Sequence, residues 1–566
     1  MSASEPIKLR WPLDGEPVLS ASFGEYRGER FHMGIDLSTG GIEGKKVFPV
    51  AKGTIYKVTN RARGYGNAVY VRHANGWVSV YGHLAEFAEP IKTQLAKKGL
   101  LKKPYFGEAE VHIPIEADSF FAFSGESGSG MPHLHFEIRD AKNHPMDPLQ
   151  IGLHVKKNKK SDHIRLQAIR LIPETSSSQV NGGSFPVEIS DWSKPIQARG
   201  KIRVEVAVFN AMARGNRLGV KSIECRNEQS VFWSWKPKKL SYDFYRQAGH
   251  VFNLYYSGFG PTQYIYRMPH EHHPILPGLE KAEAIDVREP TDLIIEVEGI
   301  HSSLTRKLTL DPNAQPINLA ADAIFQDDAP CQIWRGRIRQ VRDGKTEIRQ
   351  IAAGARLPSN LLPKDVINAA RLPEKVHQWI ELEDWQVSSN LGGLMVLEER
   401  ETKQIKNGLV RVSTTLHIEE PGRLQSQLKL RPQISETLQN THQVGLYSWS
   451  TVKSKWRFVE PLEKRGMIFK PSSHGRFALL RDTEPPTIGS VKWHPYFTGR
   501  RAVVPVRDRQ SGLAWQRIQV LQGEKTVNVD SDPDRGWIIL PTELKGRFRV
   551  TVWDRSGNST SQTLSR

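Results

Sequence analysis

Apolar residues in this chain alternate with polar ones at period two, and the spacing of an amphipathic helix is nearly absent. The runs KIRVEVAV at 201–208 and LIIEVE at 293–298 show the pattern best. At that period one face of a strand is buried and the other meets water. A chain patterned in this way must build sheets, so the expected fold class is mainly β and antiparallel. The 566 residues exceed what one hydrophobic core can serve, and about four domains are expected at roughly 100–200 residues each.

Turn residues divide the chain further. Asn75-Gly76 lies between two β-branched and aromatic runs, 68–73 and 77–81, and reads as a hairpin with a type I′ turn. Residues 47–58 read as a second hairpin. The best helix candidate is 95–101, in a Lys-rich insertion. The charged run 156–161 reads as a linker, which makes residues 1–155 the first domain. A β-sandwich is expected over 162–310. The stretch 311–380 reads as an irregular connector or part of a sandwich, and 381–481 as another sandwich. The last segment, 482–566, opens near Pro485-Pro486. Two of its strands end in Asp508-Arg509-Gln510-Ser511-Gly512 and Asp554-Arg555-Ser556-Gly557. It resembles the small immunoglobulin-like accessory modules of secreted bacterial proteins.

Net charge is +18, which favours polyanionic partners. Residues 1–150 hold 18 Lys and Arg against 17 Asp and Glu, so nearly all the excess lies beyond them. An anionic cell-wall polymer or membrane surface would suit those later modules; the plainer reading is a solvated surface that aids solubility. No zinc finger, basic helix or RNA-binding aromatic motif is present, so no specific nucleic-acid partner is expected. No apolar run approaches the ~20 residues that span a bilayer. Cys225 and Cys331 form no disulfide or zinc framework and read as buried thiols. Residues 1–6 show neither the basic nor the apolar region of a signal peptide.

Three elements in the first 150 residues carry chemistry. They are Phe31-His32-Met33-Gly34-Ile35-Asp36-Leu37, Tyr81-Gly82-His83-Leu84, and Gly128 to Ile138 with its Pro132-His133-Leu134-His135 core. On a strand His133 and His135 project to one face, and His83 follows a β-run that can reach the same groove. Imidazoles and a carboxylate suit zinc, whose catalytic sites take three protein ligands. Such a set leaves two histidines for proton transfer. Glu137, two residues beyond His135, reads either as a simple strand carboxylate or as a group orienting a ligand histidine. The run His270-Glu271-His272-His273, between prolines, reads as an exposed loop. Trp233, Trp235, Trp449 and Trp456 read as core rather than carbohydrate platforms.

These elements, with Gly64-Tyr65-Gly66-Asn67 and the closing Asp147-Pro148-Leu149, resemble the lysostaphin-type zinc endopeptidases of bacterial cell-wall metabolism over residues 10–150. The resemblance implies an antiparallel metallopeptidase domain followed by immunoglobulin-like sandwiches. It implies one zinc per chain held by His32, Asp36 and His135, with His83 and His133 as catalytic histidines. It further implies hydrolysis of peptidoglycan peptides in a periplasmic or extracellular setting. The alternative is a non-catalytic wall-binding or regulatory scaffold with a peptidase-like groove. The segment 85–128 is longer than in compact relatives and would lie beside the groove.

Overall fold

In the computed structural model the chain is built from sheets that are antiparallel almost throughout. One short parallel pairing joins Ile196 and Gln197 to Leu310 and Asp311. The structure describes residues 9–566 except for short segments, the longest being 254–263, 317–331, 419–427 and 434–441. Residues 1–6, Cys331 and the 270–273 cluster lie outside the described residues.

The N-terminal sheet has ten strands: β1 (Leu19–Ala21), β2 (Ile35–Ser38), β3 (Lys46–Val47), β4 (Gly53–Asn60), β5 (Asn67–Arg72), β6 (Val78–Phe87), β7 (Gly107–Ile115), β8 (Ala122–Ser124), β9 (His133–Arg139) and β10 (Pro145–Met146). Its main path runs β1-β2-β9-β6-β5-β4-β7. Strand β9 therefore sits centrally, between β2 and β6. Leu134, Phe136 and Ile138 put one face of β9 into the core. Alternation then places His133, His135, Glu137 and Arg139 in a polar row on the other face. The chain approaches β9 very closely at Gly34, just before β2, where a Cβ would stand 2.4 Å from the Phe136 carbonyl oxygen. Only glycine fits between His32 and Asp36 at that position.

Helix α1 spans Glu89–Lys97, earlier than the expected 95–101. Pro90 suits its first turn, Ile91 and Leu95 bury its inner face, and Gly99 at φ +66° ends it. The Asn75-Gly76 hairpin forms between β5 and β6, but not with a type I′ turn. Gly76 alone has positive φ (83°), while the Asn75 Oδ1 accepts from the Trp77 N–H at 3.0 Å. The Gly76 N–H donates to His73 O at 3.0 Å, as in a type I turn followed by a left-handed glycine. Residues 47–58 are not a hairpin. Val47 pairs with Ala122 in β8, whereas β4 pairs with β5 and β7. The segment 85–128 divides: β7 extends the sheet at the edge remote from β9, while Ser127 at the segment's end lies beside the groove, its carbonyl 2.9 Å from the His83 Nδ1.

Later sheets follow in chain order. A twelve-stranded sheet covers strands between His163 and Asp311, and an eight-stranded sheet and a three-stranded one (Ile380–Glu381, Trp385–Ser388, Lys429–Pro432) share those between Arg356 and Asp482. Five- and four-stranded sheets make up the last segment. The stretch expected to be irregular contains the strands Gln332–Trp334, Arg337–Arg342 and Lys345–Gln350. The hydrophobic core of the first 155 residues is continuous with that of the next segment. Phe31 stacks on Trp235 at 5.3 Å, and Tyr26 packs against Phe252. Among the described residues no helix is long and apolar enough to cross a membrane.

Candidate metal centre

Asp36 and His135 are cross-strand partners in β2 and β9. His32 enters from the turn before β2. The His32 Nε2, Asp36 Oδ1 and His135 Nδ1 atoms form a near-equilateral triangle with sides of 3.1, 3.1 and 3.0 Å. Ligands 2.0–2.2 Å from a tetrahedral zinc stand about 3.3–3.5 Å apart, so the triangle is close to that size. The three side chains are buried.

Hydrogen bonding on the outer side of each ring fixes which atoms face inward. The His32 Nδ1 lies 2.8 Å from the Ser22 carbonyl oxygen. A carbonyl only accepts, so Nδ1 carries the proton and Nε2 presents its lone pair. The His135 Nε2 lies 2.8 Å from Glu137 Oε1. Burial alone would raise the Glu137 pKa, but Arg139 and the bond from His135 lower it to about 2. Glu137 is therefore a carboxylate that holds the Nε2 proton and leaves Nδ1 for a cation. Proton and cation compete at that Nδ1. Burial penalises the imidazolium of the cation-free site, but Asp36 and Glu137 outweigh it and raise the His135 pKa to about 9. Asp36 is also buried, yet His32, His133 and His135 hold its pKa well below the usual carboxylate range. Its second oxygen, Oδ2, accepts from Arg27 Nη2 at 3.1 Å.

His83 and His133 stand together beside this triangle, with ring centroids 4.7 Å apart. Each has Nδ1 against a carbonyl, Ser127 O at 2.9 Å and Met131 O at 2.7 Å. Both therefore direct Nε2 away from the backbone, and the His133 Nε2 lies 3.7 Å from Asp36 Oδ1. Burial, with His133 and His135 nearby, pushes the His83 pKa well below its usual value, so its ring is neutral. His83 has φ +61°, a left-handed conformation that costs a non-glycine residue energy and recurs at functional sites. Gly66 fixes the loop opposite, since a Cβ there would meet Ser127 O at 2.1 Å.

All five residues singled out from sequence thus meet at one place. Others were missed or undervalued. Glu137 is wholly buried and orients a ring, so the simple strand reading was too weak. Tyr65, visible in the Gly-Tyr-Gly-Asn motif, donates to Glu137 Oε1 at 2.5 Å. Tyr242, from the following segment, donates to Glu137 Oε2 at 3.0 Å; no local signal marks it. Three further histidines of this domain take no part in the site. His73 bonds Lys52 O and Ser79 Oγ, His112 is exposed on β7, and His144 sits in a turn against Asp140. Trp233 and Trp235 are core residues, as expected.

Residues 30–99 match the family model described as peptidase family M23. The N-terminal domain belongs to this family. The matched residues include His32, Asp36 and His83, while His133 and His135 follow them. The chain is 31% identical over 150 residues to murein hydrolase activator NlpD of Salmonella dublin, covering 26% of this chain and 33% of that protein. It is 29% identical over 162 residues to DD-carboxypeptidase/endopeptidase Mpg of Neisseria meningitidis, covering 28% and 31%. Cell division protein DipM of Caulobacter vibrioides is 29% identical over 151 residues, covering 26% and 21%. The chain spans about a third or less of the length of these curated relatives. Among solved structures, the SpoIIQ–SpoIIIAH pore-forming complex aligns with 26% of this chain and 92% of its own at 22% identity, with a TM-score of 0.20, too low to weigh. Within the M23 domain, the polar row of β9 is thus the structural feature around which the site is assembled.

Proposed function

We propose that the M23 domain is a zinc-dependent endopeptidase that hydrolyses peptide bonds of bacterial peptidoglycan, in the periplasm or outside the cell. The observation that carries this reading is the triangle of His32 Nε2, Asp36 Oδ1 and His135 Nδ1, whose two ring nitrogens turn lone pairs toward one point. Two lone pairs 3.1 Å apart repel unless a proton or a cation lies between them. An all His/Asp donor set fits zinc, one per chain. Bound zinc supplies a Lewis acid that polarises a scissile carbonyl and lowers the pKa of water.

The chain's own residues do the rest. Neutral His83 offers Nε2 as a proton acceptor, and His133 beside it stabilises charge that develops on the peptide oxygen. Glu137, Tyr65 and Tyr242 keep His135 in the tautomer that binds metal. Arg27 holds the second oxygen of Asp36 and leaves the first to the cation. The basic later modules would hold anionic wall polymer, with an attraction that weakens as salt rises.

A second reading is a regulatory scaffold, in keeping with the activator named among the relatives. It is favoured by what surrounds the groove. Tyr242 reaches it from one module. From the last module, Arg501 and Arg535 pair with Glu126, next to the Ser127 carbonyl that holds His83. Metal content of the full chain, with hydrolysis of isolated peptidoglycan by wild type, His32→Ala and His135→Ala, separates the readings. About one zinc per chain, with hydrolysis lost in both variants, supports the peptidase. Zinc without hydrolysis points to a groove blocked by the later modules or to another substrate, and a folded chain that refuses zinc sinks the peptidase and favours the scaffold.

A further inference from the structure

The Asp-x-x-Ser-Gly turn and its variant in the last module find a structural use away from the M23 site. Asp508 and Asp554 converge there on Asp482, the last residue of strand Arg476–Asp482 in the preceding sheet. One carboxylate oxygen from each lies within 4.8 Å of the other two. Among the described residues none of the three is in an ion pair, so three negative charges meet without a cationic side chain.

Buried hydroxyls mark the same place. Tyr447, Ser511 and Ser556 are 0%, 3% and 8% exposed, and their hydroxyl oxygens have no hydrogen-bond partner. Ser511 lies against Asp482, its N–H donating to Asp482 Oδ2 at 3.1 Å, and Tyr447 lies beside Ser556. The Tyr447 hydroxyl senses the charge of all three aspartates. Strand register accounts for this, since Tyr447 is paired with Ala478, and Ala478, Leu480 and Asp482 share a face. The Asp508 Oδ1 is buried and unpartnered as well. A buried polar atom without a partner costs free energy that a ligand would recover.

We propose that this junction binds a hard divalent cation, specifically calcium, through Asp482, Asp508 and Asp554. The ligand set is entirely oxygen, as calcium prefers. Calcium takes several protein oxygens at once, whereas magnesium keeps most of its waters and is usually bound through one or two carboxylates, so three carboxylates with buried hydroxyls beside them favour calcium. The cation would tie the last module to the end of the preceding strand. The inference stands independently of the peptidase reading.

Equilibrium dialysis of the full chain against radioactive calcium tests it. About one calcium per chain is expected, kept in His32→Ala and weakened roughly tenfold or more in Asp508→Asn. Calcium should also raise the Tm of wild type and not that of Asp508→Asn. Tyr447→Phe keeps the ring packing and removes only the unpartnered hydroxyl. It is expected to weaken calcium several-fold and to leave the calcium-free Tm unchanged, which keeps the proposal testable should Asp508→Asn not fold. No binding at millimolar calcium, or equal binding by wild type, Asp508→Asn and Tyr447→Phe, overturns it. So does a preference for magnesium.

Discussion

Glu137 Oε1 accepts a hydrogen bond from the Nε2 of His135 at 2.8 Å, and the two residues lie two apart on the polar face of β9. The bond decides which ring nitrogen of His135 faces Asp36 and His32. A carboxylate so placed makes the ring a better ligand and removes its freedom to flip. Glu137→Gln leaves a neutral acceptor in the same space. The expected result is a zinc affinity weaker by roughly 10–100-fold, read by competition with a chromogenic chelator. Tyr242→Phe, which removes one of the bonds to the same carboxylate, should shift affinity in the same direction by less. An unchanged affinity in Glu137→Gln would show that Glu137 only fills space.

His83 and His133 lie outside the ligand triangle, and their variants should separate metal binding from proton transfer. His83→Ala and His133→Ala are each expected to retain the metal and to lose hydrolysis by about 10²–10⁴-fold. Elemental analysis and release of soluble peptidoglycan fragments measure the two effects side by side. Loss of zinc in either variant would place that histidine among the ligands.

Much of this site was legible because strand geometry is regular. Once His133 and His135 are placed on one strand, period two fixes them on a common face, and Leu134 and Phe136 point the other way into the core. The histidine at position 83 was legible, but its left-handed backbone was not, since nothing local marks it. Tyr242 could not have been found. It lies 105 residues from Glu137 in sequence and reaches the site only because two segments share one core. The misread hairpin at 47–58 has the same origin: the partner of Val47 is Ala122, and non-local pairing leaves no trace in a local pattern. The turn at Asn75 went the other way, because a side-chain bond to the Trp77 N–H stabilised a geometry with one left-handed residue instead of two.

The shared core also bears on stability. Trp235 is 1% exposed and stacks on Phe31 with an interplanar angle of 19°. Phe31 immediately precedes His32, and its N–H donates to Tyr245 O. Trp235→Ala should cost about 3–5 kcal/mol by loss of packing and by the cavity left behind. It should weaken zinc binding as well, because the turn that positions His32 loses its support. Chemical denaturation and zinc titration measure both. Residues 1–157 expressed alone should melt well below the full chain for the same reason. A fragment as stable as the full chain would mean that the contact is incidental.

Contact between the last module and the M23 domain should depend on pH through Glu126. Its Oε1 accepts from Arg501 Nη2 at 2.9 Å, and Arg535 Nη2 lies 2.8 Å from Oε2. Burial raises the Glu126 pKa most, Asp532 and Glu43 add to it, and the arginines do not offset them, so it reaches about 8. A carboxyl group whose folded pKa exceeds its unfolded value of 4.5 keeps a proton in the folded chain that the unfolded chain has released. Its contribution is fully favourable below pH 4.5 and is lost as pH rises toward 8. The apparent stability of the docked module should therefore fall between about pH 5 and 8, and Glu126→Gln, which mimics the protonated form, should flatten that slope. Hydrogen exchange at strand Gly499–Arg507, followed across the range in both proteins, reads the docking locally. A slope that survives in Glu126→Gln would assign the dependence to another group in the cluster, of which Glu43 is the nearest acid with a raised pKa of its own.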